Sequence, residues 1–336
     1  PGVVPDRPFV TVIMPVRNES GFIARSLGAV LDQDYPSGRM EVLVADGMSD
    51  DGTRAQVEAL ARSRNGTRVE VVDNPGRIVP TGFNAALARA RGDVIVRVDG
   101  HTIVEPDYVR ACVEALEASG ADNVGGRMRA VGDGPVGEAI ALATSSPFGV
   151  GDSRFHYGDG EAWTDSVYMG AWPRSVFERV GGFDEELVRN QDDEFNYRLR
   201  AQGGRILLTD RIRSVYFSRA SLRTLFRQYR QYGEYKVRVL QKHPRQMSRR
   251  HFVPPAFVAA LGLGAVLAPV SATARRGLGL VLGLYGLASG AASLAIARRR
   301  GWRHLPLLPI VFAAVHVGYG TGFLRGLVRF RDRWQG

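Results

Sequence analysis

Acidic residues almost vanish from the last third of this chain. Of its 34 Asp and Glu, only Asp210, Glu234 and Asp332 lie beyond residue 204, while thirteen Lys and Arg fall between Arg205 and Arg250 and ten more follow Phe252. The formal net charge of +10 therefore hides an acidic first part and a strongly basic tail. Such a tail meets either nucleic acid or anionic lipid. Its basic residues adjoin long apolar runs rather than stacking aromatics on an open face, which argues against nucleic acid and favours lipid. Cysteine is nearly absent too. Cys112 has no partner, so there is no disulfide framework and a reducing compartment is expected. Pro1 to Arg7 shows no basic-then-apolar leader pattern, so no secretory signal is expected. No G-x-G-x-x-G follows the first strand-like run and no G-x-x-x-x-G-K-[ST] occurs, which argues against a dinucleotide cofactor and a P-loop.

What is present is alternation. Phe9–Met14, Met40–Ala45, Val69–Val72 and Val94–Val98 are short runs rich in β-branched residues, and a helical pattern follows each of the first three. Strand and helix alternate four times in about 90 residues, the pattern of a parallel sheet with right-handed crossovers, so the fold class is α/β. In such sheets ligands gather beyond the carboxyl ends of the strands. The polar residues cluster there: Arg17, Asn18 and Glu19 after the first run, Asp46, Ser49, Asp51 and Thr53 after the second, Asp99 and His101 after the fourth. Asp46 is suited to accept hydrogen bonds from a ribose or a base, and Thr53 to cap the next helix. Asp99-Gly100-His101 sets a carboxylate and an imidazole two residues apart, a pair able to hold one face of a divalent ion; an ordinary Asp-Gly turn with a surface histidine is the simpler alternative.

Further on, Gln191 to Glu194 carries three consecutive acids at the start of a helical pattern that runs to Ala201, with Phe195 and Leu199 inward and Gly203 as terminator. Acids there stabilise the helix dipole, or one of them works as a proton acceptor. Trp172 is suited to stack on a flat apolar ligand face or to fill a core. Ser146 to Ala162, glycine-rich and containing His156, is expected to be a mobile loop. A basic amphipathic helix is predicted over Leu222 to Lys242.

Phe252–Val270, Leu278–Ala297 and Leu305–Leu324 each lack acids, Lys and Arg and are long enough to cross a bilayer. Their glycine and alanine content suits close helix packing. Charge placement favours two full spans plus a third, re-entrant or interfacial element broken by Pro306 and Pro309, which keeps the arginine clusters on one side. The expected domains are residues 1–220, 221–250 as an interfacial helix, and 251–336 in the membrane.

Five segments in order, TVIMPVRNE, VLVADGMSDDGT, NPGRIVPTGFNAALARARGDVIVRVDGH, GAWPRSVFERVGGFDEEL and QDDEFNYRLRAQG, resemble the motifs of family-2 glycosyltransferases with the GT-A fold. The likeness spans roughly residues 8 to 240 and is strongest to bacterial exopolysaccharide enzymes of the succinoglycan-biosynthesis type. The resemblance implies a GT-A catalytic domain, Rossmann-like with a mostly parallel sheet, followed by C-terminal transmembrane helices. It implies a nucleotide-diphosphate sugar donor, a UDP-sugar, contacted by Pro15, Arg17, Asn18, Glu19, Asp46, Ser49, Arg77, Asn84 and Asp99. Asp99 and His101 fall on the metal-binding turn, with histidine for the second acid, which favours Mn²⁺ over Mg²⁺. Asp192 aligns with the general base and Asp193 is its neighbour. Gly170, Ala171 and Trp172 match the segment beneath the acceptor sugar, and Gln228, Gln231 and Tyr232 fall imperfectly on a later motif. Gly47-Met48-Ser49 replaces the usual Asp-Gly-Ser. The implied acceptor is a polyprenyl-diphosphate-linked saccharide at the inner membrane, with the catalytic part in the cytosol and the chain crossing the membrane more than once. A polyprenyl-phosphate monosaccharide synthase is the nearest alternative, and a non-catalytic membrane-anchored sugar-nucleotide scaffold a second.

Overall fold

A computed structural model describes residues 7–64, 66–151, 154–156, 160–218 and 221–334. The chain divides into two compact units that do not follow chain order: Pro1–Arg129 with Arg154–Tyr216, and Ala130–Ser153 with Phe217–Gly336. In sequence, β1 (Val10–Val16), α1 (Ile23–Leu31), β2 (Met40–Asp46), α2 (Thr53–Ser63), β3 (Arg68–Asp73), α3 (Val79–Leu87), β4 (Val94–Arg97), β5 (Thr102–Val104), α4 (Tyr108–Ser119) and β6 (Asn123–Val131) come first. Next are α5 (Gly134–Thr144) and α6 (Pro147–Val150), then β7 (Ala162–Thr164), β8 (Tyr168–Pro173), α7 (Arg174–Val180), α8 (Gln191–Ala201) and β9 (Ile206–Phe217). The chain ends in α9 (Leu222–Lys242), α10 (Val253–Leu267), α11 (Ala272–Arg300) and α12 (Leu308–Arg329).

The sheet runs β3-β2-β1-β4-β8-β6-β9-β5, with β7 against β9. The first four strands pair in parallel and β8 returns antiparallel beside β4. Strand order reverses at β1, because the chain steps outward to β2 and β3 and comes back on the other side as β4. That is where an open α/β sheet makes its crevice. The β1–β4 ladder stops at Ile13 opposite Arg97, whereas β1–β2 continues to Val16 opposite Asp46. Beyond Ile13, β1 has left β4. This explains how Pro15 sits inside a central strand. Ile13 accepts from the Val98 amide at 3.0 Å, so its peptide faces β4, and by the two-residue period the Pro15 nitrogen faces the same way, past the ladder's end.

Side-chain alternation sorts the strands into two cores. Val12, Met14, Val42, Val44, Val94 and Val96 enter one with α1, α2 and α4; Ile13, Leu43, Ala45 and Ile95 enter the other with α3, α7 and α8. Phe195 and Leu199 of α8 are fully buried in the second core, as the helical pattern predicts. Glu41, within an apolar run, is buried at the far end of the strands from the crevice. It accepts from Thr11 Oγ1 at 2.8 Å, from the Arg91 amide at 2.9 Å and from Arg91 Nε at 2.8 Å. Burial pushes its pKa up, but these bonds outweigh burial and hold the carboxyl below its ordinary value.

In the second unit α9 and α12 touch backbone to backbone. A Cβ on Gly322 would lie 1.9 Å from the Arg230 carbonyl oxygen, one on Gly233 2.0 Å from that of Tyr319, and one on Gly326 2.6 Å from that of Glu234. Small residues four apart on α12 permit this approach. Arg329 then reaches Glu234, buried on α9, at 2.6 Å. Three helical stretches, Arg249–Leu267, Ala272–Arg300 and Leu308–Arg329, are long and apolar enough to cross a membrane. The third corrects an expectation. Pro309 lies in the first turn of α12 and Pro306 precedes it, so the prolines start one continuous helix and do not break it.

Candidate active site

Where β1 and β4 part, the loops after the strands are laced together. Asn18 donates from Nδ2 to Asp50 Oδ1 at 2.9 Å and accepts from the Asp50 amide at 3.1 Å. The Asn18 amide donates to Ser49 Oγ at 3.0 Å, the Glu19 amide to Thr53 Oγ1 at 2.8 Å, and the Ser20 amide to Asp51 Oδ2 at 3.0 Å. Hydrogen bonds from Thr53 first, then Ser20, hold the Asp51 carboxyl well below the usual carboxylate range. Thr53 thus binds the two loops together; the residue at the cap position of α2 is Gly52, and the carboxylate before it, Asp51 Oδ1, accepts from the Thr53 amide at 3.0 Å. Asp46, 2% exposed at the tip of β2, accepts from the Ser49 amide at 3.2 Å and holds the Gly47-Met48-Ser49 turn. Arg17 is exposed on the rim.

The third loop is held by Asn74, buried, whose Nδ2 donates to the Ile78 carbonyl at 2.9 Å. Arg77 stands exposed on it. Asn84, expected at the nucleotide, has its carboxamide engaged elsewhere: Nδ2 donates to the Phe183 carbonyl at 2.8 Å and to Glu185 at 2.9 Å, and Oδ1 accepts from the Phe183 amide at 2.9 Å. Its observed work is to clamp the Gly182-Phe183 loop onto α3.

Asp99 and His101 close the crevice on the β4 side, partly exposed. Asp99 Oδ1 accepts from Arg97 Nε at 2.8 Å. His101 Nδ1 lies 2.9 Å from Glu19 Oε1, a contact that spans the parted strands. Arg97 is the residue whose meaning the sequence concealed. It shares the Ile95 side of β4, is 4% exposed, and its guanidinium lies 6.0 Å from the Phe183 ring centre. Burial pulls its pKa down, yet the Asp99 and Asp192 carboxylates together raise it above the ordinary arginine value. Carboxylates from the end of β4 and the start of α8 thus act on one buried cation.

The three acids of α8 separate by environment. Glu194 is 1% exposed and bonded to Arg198 Nε at 2.6 Å, and Arg198 also reaches the Gly182 carbonyl at 2.7 Å. Glu194 is structural. Asp192 and Asp193 are half-buried in the first turn, and Asp192 Oδ1 accepts from the Asp193 amide at 2.9 Å. Trp172 requires a correction: it is 1% exposed, packed edge-on with Phe83 and Phe195 at 6.1 and 6.0 Å, so it fills the core under α8 and offers no face to a sugar. Ala171 is likewise interior. Gly170 at φ 103 is required by that tryptophan, because a Cβ there would sit 2.4 Å from the indole. Gln228, Gln231 and Tyr232 lie on α9 in the second unit, where Gln228 Nε2 donates to the Tyr232 hydroxyl at 2.9 Å. The glycine-rich segment expected to be mobile includes 152–153 and 157–159, which lie outside the described residues; within the rest, Ser146 caps the short helix α6.

Backbone strain marks the same region. Among the described residues, the non-glycine positions with left-handed φ are Asn18, Met48, Arg77, Met169 and Asn190. They follow β1, β2 and β3, begin β8, and precede α8. Such conformations cost about 1–3 kcal/mol each and persist where the surroundings impose them, commonly at ligand sites.

Among the described residues no group of three or more His, Cys, Asp or Glu is arranged to hold a metal. Asp99 and His101 nevertheless fit a divalent ion shared with a diphosphate, because such ions take only one or two protein ligands and complete their shell with phosphate oxygens and water.

A switch-point crevice floored by parallel strands, rimmed with carboxylates and followed by antiparallel strands defines a protein of the GT-A fold. The comparisons with known proteins agree. The family model described as "Glycosyl transferase family 2" matches residues 11–181. The chain is 33% identical over 324 residues, 96% of each protein, to the succinoglycan biosynthesis protein ExoA of Rhizobium meliloti. It is 26% identical over 240 residues, 70% of this chain and 74% of the other, to a dolichyl N-acetyl-alpha-D-glucosaminyl phosphate 3-beta-D-2,3-diacetamido-2,3-dideoxy-beta-D-glucuronosyltransferase of Methanococcus voltae. Its fold matches a mannosyltransferase from Pyrobaculum calidifontis, solved with GDP-Man and Mn²⁺, with a TM-score of 0.61 at 22% identity over 94% of this chain and 88% of the other. The chain belongs to glycosyltransferase family 2.

Proposed function

We propose that this glycosyltransferase moves a sugar from a nucleotide-diphosphate donor, a UDP-sugar, onto a saccharide carried by a polyprenyl diphosphate, inverting the anomeric centre. The reading rests above all on one arrangement: Asp99, just past β4, accepts from the buried Arg97 Nε at 2.8 Å, and the Asp192 carboxylate at the start of α8, far away in sequence, also raises the pKa of that guanidinium. Asp99 and His101 would hold a divalent cation, Mn²⁺ or Mg²⁺, which when bound neutralises charge on the departing nucleoside diphosphate. Asp192 accepts the proton of the acceptor hydroxyl while that oxygen bonds to the anomeric carbon and the bond to the donor phosphate breaks. One displacement gives one inversion. Asp193 assists Asp192, and Arg17, Asn18, Ser49 and Arg77 present donors to the nucleotide from the strand ends.

A lipid-linked acceptor suits a chain with helices long and apolar enough to span a membrane, and the Methanococcus relative carries a dolichyl phosphate sugar in its name. The site then belongs on the cytosolic side of the inner membrane, where nucleotide sugars are made. Membranes containing the full chain, incubated with radiolabelled UDP-sugars and either lipid-linked saccharide or bare polyprenyl phosphate, test this. Label on the saccharide, lost in Asp99→Asn, is expected. Label on bare polyprenyl phosphate makes the chain a monosaccharide synthase, and no transfer with any nucleotide sugar makes it a binding scaffold.

A further inference from the structure

Resting on the metal site just proposed, we infer that Glu19 is its positioning residue: the carboxylate fixes His101 in one tautomer and orientation, so that a neutral imidazole does the work of the missing second acid. Three observations and one rule of hydrogen-bond chemistry carry this. Glu19 Oε1 lies 2.9 Å from His101 Nδ1. A carboxylate only accepts hydrogen bonds, so the proton of this contact is on Nδ1 and the lone pair of the neutral ring is on Nε2. Gly100 makes the approach possible, since a Cβ there would lie 2.9 Å from Val16 and 3.1 Å from Glu19 Cγ. The His101 ring also packs edge-on to Tyr216 at 5.4 Å, which restricts its rotation.

The backbone around Glu19 is held independently of its side chain. Its amide donates to Thr53 Oγ1 at 2.8 Å, and its carbonyl accepts from the Phe22 and Ile23 amides at 2.8 Å each. The carboxylate is therefore placed by loop bonds that any residue at position 19 would keep, and its own contact is with His101. A carboxylate behind a ligating histidine fixes the direction of the ring, and removing it costs about 10–100-fold in metal affinity. With aspartate in place of histidine, the same carboxylate becomes a repelling neighbour.

The test is a double-substitution cycle on the full chain in detergent, reading Mn²⁺ affinity from the free-ion paramagnetic resonance signal with Mn²⁺ alone as the probe. Glu19→Ala is expected to weaken Mn²⁺ binding about 10–100-fold in the native background. In the His101→Asp background the same change is expected to leave binding unchanged or strengthen it. Glu19→Gln, which keeps an oxygen acceptor for Nδ1–H, is expected to recover part of the loss. Equal losses in both backgrounds would show that Glu19 does not act through the ring, and no loss in the native background would overturn the proposal outright. Asp99→Asn separates the underlying reading: if it leaves Mn²⁺ binding untouched, the site itself is elsewhere.

Discussion

Glu41 and Arg97 are charged residues in strands that otherwise read as apolar runs, and they do opposite things. Arg97 stands at the crevice end of β4 and serves the carboxylates there; Glu41 stands at the other end of β2 and serves stability. Because the folded pKa of Glu41 is below its ordinary value of 4.5, its contribution is fully present above that pH and is lost as pH falls through the lowered folded value. Glu41→Gln is therefore expected to lower stability at neutral pH and to flatten the acid limb of a denaturation series. An unchanged acid limb would contradict the assignment. Residue identity carried part of this: Asp99 and Asp192 could be singled out from motif spacing, and the fold brings both carboxylates to bear on Arg97. The roles of Asn84 and Trp172 were not legible. An asparagine that clamps a loop and one that meets a nucleotide look alike in a string, and the difference lies in Phe183 and Glu185, about a hundred positions away. Burial decided Trp172 in the same way, through the ring of phenylalanines from α3, α7 and α8 that surrounds it.

At the level of elements, the first four strands and their helices were readable because each β-branched run is bounded by its own turn chemistry. The boundaries moved by a residue or two, as when β1 continued through Pro15 to Val16. Pairing was less accessible. That the β1–β4 ladder ends four residues in, and so opens the crevice, depends on register, which no single segment encodes. The close seat of α12 on α9 was hidden for another reason: α9 reads as a basic surface helix, and only the glycines of both helices disclose that their backbones meet. Gly322→Ala would push a methyl group into the Arg230 carbonyl, so the helices must part. The expected cost is about 1–3 kcal/mol, as for other overpacked contacts. Limited proteolysis between α9 and α10 should then quicken, and an unchanged digestion rate would contradict the packing described.

For the whole molecule, chain order and compact units diverge. Residues 130–153 leave the catalytic unit and join the helical one, a division invisible to composition because α5 and α6 carry the same small apolar residues as the rest. The helical unit exposes Leu263, Val266, Leu280, Leu284 and Leu287 on helices long and apolar enough to cross a membrane. A lipid surround would suit what the second unit exposes, and the polar crevice is where the first unit's strained positions gather. The account turns on Asp192 as the proton acceptor in sugar transfer, and the most direct measurement is single-turnover transfer by Asp192→Asn beside the native chain, with nucleotide affinity recorded for both. The rate is expected to fall about 10²–10⁴-fold while affinity for the nucleotide holds; transfer at a near-native rate would contradict it.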